Sequence, residues 1–167
     1  FGTDTAEADA EVVSLAYNAY RLLGLDDVKI QLNSLGDNES RLAYREALIK
    51  YFEPHINELC EDCQERFKKN PLRILDCKVD AGSEIIKNAP KTIDYLNEES
   101  LNRFNRLKEL LDLMDIPYEV NTNLVRGLDY YNHMVFEVTL RDSYALGGGG
   151  RYNGLVEQLD GPSTPTT

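Results

Sequence analysis

The chain has 167 residues, 42% of them hydrophobic and 28% charged, the size of one large domain or two small ones with enough apolar material for a core. No apolar run approaches the ~18 residues of a membrane span, and no charged-then-apolar segment opens the chain as a secretory leader would, so membrane and secreted readings fall. A formal net charge of -11 repels a phosphate backbone at long range and excludes a nonspecific nucleic-acid coat.

Asp4, with Glu7 three residues on, has the spacing of a capping box. Val12, Leu15, Ala16, Ala19, Leu22 and Leu23 follow at helical spacing until Gly24 stops them. Val28, Ile30 and Leu32 alternate with Lys29 and Gln31 as a strand that ends in the turn-rich Asn33-Ser34-Leu35-Gly36. A second helix is predicted from about Ser40 through Leu42, Ala47, Leu48 and Tyr51, breaking at Pro54. Leu59 to Lys91 reads as short pieces holding all three cysteines. Leu101, Phe104, Leu107, Leu110, Leu111 and Met114 restore a helical stripe, closed by Ile116-Pro117. The period then changes to two, with Phe136, Val138 and Leu140 on one strand face and Val135, Glu137 and Thr139 on the other. A further strand is expected at about Ser143 to Leu146, entering four glycines, and a short helix at about 153–159. The class is α+β: residues 1–36 and 121–167 complete one sheet, with a largely helical module, 37–120, inserted between them.

Two segments carry chemistry. Gly147-Gly148-Gly149-Gly150-Arg151-Tyr152 strips away every Cβ, so a ligand can approach the main chain while Arg151 supplies a cation. It lacks the endings of a phosphate loop or a dinucleotide fingerprint, and a hairpin or bulge explains the same letters. Arg126-Gly127-Leu128-Asp129-Tyr130-Tyr131 offers a guanidinium suited to a carboxylate or phosphate. Its two tyrosines, if on a strand, point to opposite faces. Ordinary buried tyrosines at a turn explain those six letters equally well.

Taken together, Arg126 to Tyr131, Val135-Phe136-Glu137 and Gly149-Gly150-Arg151-Tyr152-Asn153-Gly154-Leu155-Val156 closely resemble the two histidine-specific signatures of histidyl-tRNA synthetases. Leu32 to Gly36, Asn70 to Asp76 and Leu96 to Ser100 resemble further stretches of bacterial members. The resemblance implies part of a class II aminoacyl-tRNA synthetase antiparallel-sheet core, with a helical insertion domain near the tRNA acceptor arm. It implies a cytoplasmic homodimeric ligase that joins histidine to ATP, with Mg2+, and passes the histidyl group to tRNA(His). By motif alignment Arg126 is the catalytic arginine, and Tyr130, Tyr131, Gly149, Gly150 and Tyr152 line the histidine pocket, with Tyr131 bonding the imidazole. The first, second and third class motifs and the anticodon-binding domain are not among these residues. Phe1 in place of Met and a patternless 161–167 likewise read as a piece of a longer chain, one expected to form no adenylate alone. The stretch from Leu140 to Tyr144 is short for the family. A histidine-sensing paralogue, the regulatory subunit of ATP phosphoribosyltransferase, lacks this long insertion; an RNA or protein interaction module is the other rival.

Of the 18 Lys and Arg, 13 lie in 37–120, among 18 acids. Arg66, Lys68, Lys69 and Arg73 form the densest basic cluster and are the nucleic-acid candidates, with Arg103, Arg106 and Lys108 a second group. An odd cysteine count argues for a reducing compartment, the cytoplasm by default. Cys60, Cys63 and Cys77 with His55 could be assembled into a zinc site, but the letters show one tight pair rather than two, and free thiols suffice, so no metal is assigned. His133 would face the pocket or be hydrated.

Overall fold

The structure, a computed structural model, describes residues 1–126, 130–141 and 144–167. Helix α1 spans Ala6–Leu22 and is capped one residue later than the capping box suggests. Thr5 Oγ1 accepts the Ala8 N–H at 3.3 Å, while Asp4 turns to Arg103 and Arg151. Its buried face is Ala6, Asp9, Ala10, Val13 and Tyr17 rather than the stripe of Leu15, Ala19 and Leu22. Leu15, Leu22 and Leu23 stand exposed instead. Two apolar stripes coexist on this helix, and the one containing a carboxylate faces in, because Asp9 is where two arginines meet.

Strand β1, Val28–Ser34, leads through Gly36 to α2, Asn38–Phe52. Gly36 has φ +69°, and a Cβ there would lie 2.5 Å from Ser40 Cβ, so the turn requires glycine. A 3-10 turn at Glu53–Glu58, α3 at Glu61–Lys69, a 3-10 turn at Pro71–Ile74, α4 at Glu84–Lys87 and a 3-10 turn at Thr92–Tyr95 follow. Next come α5, Glu98–Leu113, and β2, Tyr118–Val120, then β3, Asn132–Leu140, β4, Tyr144–Arg151, and α6, Leu155–Gln158. The N-termini of α2 and α5 interlock. Asp37 caps Ser40 at 2.8 Å and Asn97 caps Ser100 at 2.9 Å, while Asn97 Nδ2 donates to Asp37 Oδ2 at 2.8 Å. Each cap of this kind contributes ~1 kcal/mol.

The sheet order is β2-β1-β3-β4. β1 with β3 and β3 with β4 run antiparallel, as the resemblance implies, but β2 adds a parallel edge to β1. A parallel neighbour needs a long crossover, and residues 35–117 supply it. On one sheet face Ile30, Leu32, Phe136 and Val138 pack with Val13 of α1 and with Leu107 and Leu111 of α5. Asp4 and Asp9 pair with Arg103, and Glu7 pairs with Arg106. On the other face Val135 and Tyr131 join Tyr44, Leu48, Phe52, Cys63 and Ile74 of the helical module. The period-two expectation for β3 holds, and it places the two cores on opposite sides of one strand. Although α5 and β2 fall within 37–120, they pack with α1 and β1. No described helix is long and apolar enough to cross a membrane.

Candidate active site

Arg126 is delivered by a clamped approach. Asn121 N–H donates to the Leu32 carbonyl at 2.9 Å as the chain leaves β2. The buried Asn33 side chain then donates to the Leu124 carbonyl at 3.0 Å and the Thr122 carbonyl at 3.3 Å. Leu124 and Val125 are buried in the module's core. Arg126 emerges with Nη1 2.9 Å from Glu137 Oε2, each side chain about a quarter exposed (27% and 26%). Glu137 lies on β3 opposite Gly148 of β4. A Cβ on Gly148 would sit 3.0 Å from Arg126 Nη1 and 2.6 Å from the Phe136 carbonyl, so only a bare main chain lets the guanidinium lie against the strand. Beside the ion pair opens a cavity of about 530 Å3, walled by Asn121, Asn123, Arg126 and Glu137 and by Asp76 and Ile86 across from them.

The tyrosines lie along the same face of β4 as Arg126, but they do not line that cavity. Tyr130 and Tyr131 do not sit on a strand, because β3 begins at Asn132. Their rings therefore pack together, with centroids 4.6 Å apart, instead of diverging to opposite faces. Tyr152 meets both edge-on, at 5.8 and 6.3 Å, and its N–H is held by the Thr166 carbonyl at 2.8 Å. Tyr131 is buried, and that burial, with Tyr130 beside it, pushes its phenol above the ordinary value; the nearby Arg126 pulls only partly the other way. Arg126 and Tyr131 thus share one local field, with the phenol neutral at physiological pH.

The glycine run is strand, not loop, and its residues alternate between faces. Gly148 addresses Arg126 and Gly150 addresses Tyr131, whose Cδ1 would be 2.9 Å from an added Cβ. Gly149, expected as pocket floor, points its missing Cβ at the Phe136 ring on the opposite face, and Gly147 addresses the Tyr20 hydroxyl. Gly148 is the member the sequence reading passed over; strict alternation from Gly150 finds it. Arg151 is likewise not the ligand-facing cation suggested by its neighbours. It is fully buried, 2.8 Å from Asp9, with further bonds to the Thr3 carbonyl and Asn153. It anchors the end of β4 to α1.

His133 also faces away from the tyrosines, lying among Asp9, Ser34, Arg103 and Phe104. Residues 127–129 and 142–143 fall outside the described residues, which leaves the glycine after Arg126 and the length of the Leu140–Tyr144 hairpin there.

On the module, Arg66 Nη1 donates to the Arg73 carbonyl at 2.8 Å and Lys68 pairs with Glu65 at 2.9 Å, both consistent with local structure. Lys69 instead lines a groove of about 420 Å3 with Arg41, Arg45, Asn38 and Asn70. Arg103 and Arg106 are occupied by the carboxylates of α1, and Lys108 lies over the Phe104 ring. His55 bonds Glu58 at 2.9 Å, not the cysteines. The three thiols do converge, with Asp80 as the fourth member: their ligating atoms all lie within 4.8 Å of one another.

The family model described as Histidyl-tRNA synthetase matches residues 1–167. A histidine--tRNA ligase of Bacillus velezensis is 54% identical over 169 aligned positions, and that of Bacillus subtilis is 52% identical, each alignment covering 98% of this chain. The crystal structure of apo S. aureus histidyl-tRNA synthetase superposes with TM-score 0.75 at 44% identity, covering 98% of this chain and 40% of that one. A Bacillus halodurans structure described as an ATP phosphoribosyltransferase regulatory subunit/histidyl-tRNA synthetase shares the fold, with TM-score 0.57 at 21% identity. The chain spans about 40% of the length of the curated relatives it matches. It belongs to the histidyl-tRNA synthetase family.

Proposed function

We propose that the chain is the histidine-gripping part of a histidine–tRNA ligase. The observation that carries this reading is the meeting of one guanidinium and three phenols against the two glycines, Gly148 and Gly150. The neutral Tyr131 hydroxyl bonds a ring nitrogen of the substrate imidazole without forcing imidazolium. Tyr130 and Tyr152 wall the ring, and Gly150 leaves room for the Tyr131 ring that bonds it. Arg126 binds the substrate carboxylate. When that carboxylate attacks the α-phosphorus of ATP and pyrophosphate leaves, negative charge grows on the phosphoryl oxygens beside the guanidinium. A preorganised donor of this kind supplies ~3 to 4 kcal/mol of the barrier lowering. Glu137 positions Arg126 through the 2.9 Å bond. The histidyl group then passes to the terminal ribose hydroxyl of tRNA(His), releasing AMP.

The Mg2+ that accompanies ATP would meet Glu137 and Asp76 on the cavity wall. Glu137 is engaged by Arg126, so the described residues do not by themselves make a magnesium site. In this reading the protein is a cytoplasmic homodimer. The module within 37–120 faces the acceptor arm of tRNA with Lys69, Arg41 and Arg45, together with Arg66, Lys68 and Arg73. Relatives at about half identity carry the ligase name, which favours this reading over the histidine-sensing paralogue.

The test is calorimetric titration of the protein with histidine and with histidinol, which lacks the carboxylate. Tyr131→Phe is expected to weaken histidine about tenfold, the loss of ~1.4 kcal/mol. Arg126→Ala should weaken histidine far more than histidinol. Equal losses for both ligands would remove Arg126 from the carboxylate, and an unchanged Tyr131→Phe would remove the phenol from the ring.

A further inference from the structure

Cys60 is the residue immediately before α3, and Cys63 lies one turn along it, so both sulfurs emerge on the same side of the helix start. Cys77 and Asp80 come from the loop after the 3-10 turn Pro71–Ile74 and repeat the two-residue gap, making a C-x2-C…C-x2-D pattern. The two pairs face each other. Cys60 Sγ is 3.6 Å from Cys77 Sγ, and Cys77 Sγ is 3.6 Å from Asp80 Oδ2. Zinc bonds of ~2.3 Å to sulfur and ~2.1 Å to oxygen at tetrahedral angles put two sulfurs about 3.8 Å apart, and a sulfur and an oxygen about 3.6 Å apart. Both observed separations are within about 0.2 Å of those edges, and no two of the four ligating atoms are more than 4.8 Å apart, so an ion would draw the corners in by about 1 Å at most.

Main-chain donors point at two of the four ligand atoms. Asp80 N–H points at Cys77 Sγ at 3.5 Å, and Cys60 N–H donates to Asp80 Oδ2 at 3.1 Å, main-chain bonds that orient anionic ligands and offset their charge. No side chain caps α3, so its N-terminal dipole faces the sulfurs directly. Cys63 and Cys77 are buried, and Cys60 and Asp80 partly so, which keeps the cluster from open water.

We infer that Cys60, Cys63, Cys77 and Asp80 bind one structural Zn2+ that fastens the start of α3 to the loop 75–80. Four protein ligands close the coordination shell, so the ion holds structure and does no chemistry on substrate. Binding releases the three thiol protons to solvent and leaves the site with a net charge of -2. The same helix ends at Lys69 and Asn70 on the basic groove, so the ion holds that wall in place from the far end.

The test combines elemental analysis with thiol counting on the protein purified without chelators or metal-affinity resin. The expected result is one zinc per chain, with Cys60, Cys63 and Cys77 all shielded from Ellman's reagent until a mercurial strips the ion. Cobalt added to the stripped protein should give intense tetrahedral d–d and sulfur charge-transfer bands. Cys77→Ser should lose stoichiometric zinc. Asp80→Cys should keep the ion and strengthen the charge-transfer band by roughly a third, a fourth thiolate joining three, which tests the geometry even if the serine variant does not fold. Zinc removal should speed amide exchange in 59–80 at least tenfold and leave β1 and β3 unchanged. Metal-free protein with all three thiols reactive, a Cys60–Cys77 disulfide, or stoichiometric iron would each overturn the assignment.

Discussion

Substitution of Gly148 by alanine probes the packing that lets Arg126 lie on the sheet. The new methyl carbon would sit 2.6 Å from the Phe136 carbonyl oxygen and 3.0 Å from Arg126 Nη1. Ordinary contact needs ~3.4 Å, so β3 and β4 must part by about 0.8 Å, and backbone cannot yield as a flexible side-chain tip can; overpacking of this kind costs ~1 to 3 kcal/mol. The guanidinium must also give by a few tenths of an ångström, which stretches its 2.9 Å bond to Glu137 towards the limit of hydrogen bonding. Urea denaturation should therefore show a loss of ~1 to 3 kcal/mol, and histidine affinity should fall about tenfold beyond the effect of stability. Gly154→Ala is the matched control: its Cβ meets nothing within 4 Å and its φ is -89°, so it should stay within ~0.5 kcal/mol of the parent. Equal stability of the two alanine variants would refute the close approach.

The buried network offers a larger effect. Asp9→Ala takes from the fully buried Arg151 its nearest carboxylate, leaving it Asp4 at 3.3 Å, and also strips Arg103 of a partner. Thermal melting should drop by roughly 6 to 20 °C, matching ~3 to 5 kcal/mol, whereas Arg106→Ala, which breaks an exposed pair, should cost under ~1 kcal/mol. Asn33→Leu removes the donor to the Leu124 and Thr122 carbonyls; if it positions Arg126 as described, histidine affinity should fall while histidinol affinity changes little. Burial, and then the Arg103 guanidinium, hold His133 below the ordinary imidazole value, against the opposing pull of Asp4, Asp9 and Asp37. The folded state therefore takes up this proton less readily than the unfolded chain, so stability is complete above about 6.5 and declines as pH falls through the window below it. His133→Asn, which tolerates the local φ of +49°, should flatten urea midpoints measured between about pH 5 and 6.5.

How much of this is legible in the letters depends on whether the deciding partner is near in sequence. The spans of α2 and α5, and the two faces of β3, follow from periodicity, although α2 buries Ser40, Tyr44, Leu48 and Phe52 and leaves Leu42 of the expected stripe exposed. α1 misleads, since its outward stripe is as leucine-rich as its inward one is not, and Asp9 turns inward only because Arg103 and Arg151 lie far along the chain. Arg151 invites the reading of a ligand-binding cation for the same reason: its carboxylate is 142 positions away. The glycine run looks like a loop by propensity, yet it stays in the sheet because Tyr20, Phe136, Arg126 and Tyr131 press against both its faces. The cysteine cluster is missed when only Cys and His are sought, although the Cys77–Asp80 spacing repeats that of Cys60–Cys63.

The convergence of Arg126 and Tyr131 on one amino acid is tested most directly by nuclear Overhauser contacts from isotope-labelled histidine bound to the protein. The predicted pattern has imidazole protons close to the rings of Tyr130, Tyr131 and Tyr152, with the α-proton end beside the Arg126 side chain. Contacts confined to the basic groove of Arg41, Arg45 and Lys69, or none to those three rings, would contradict it.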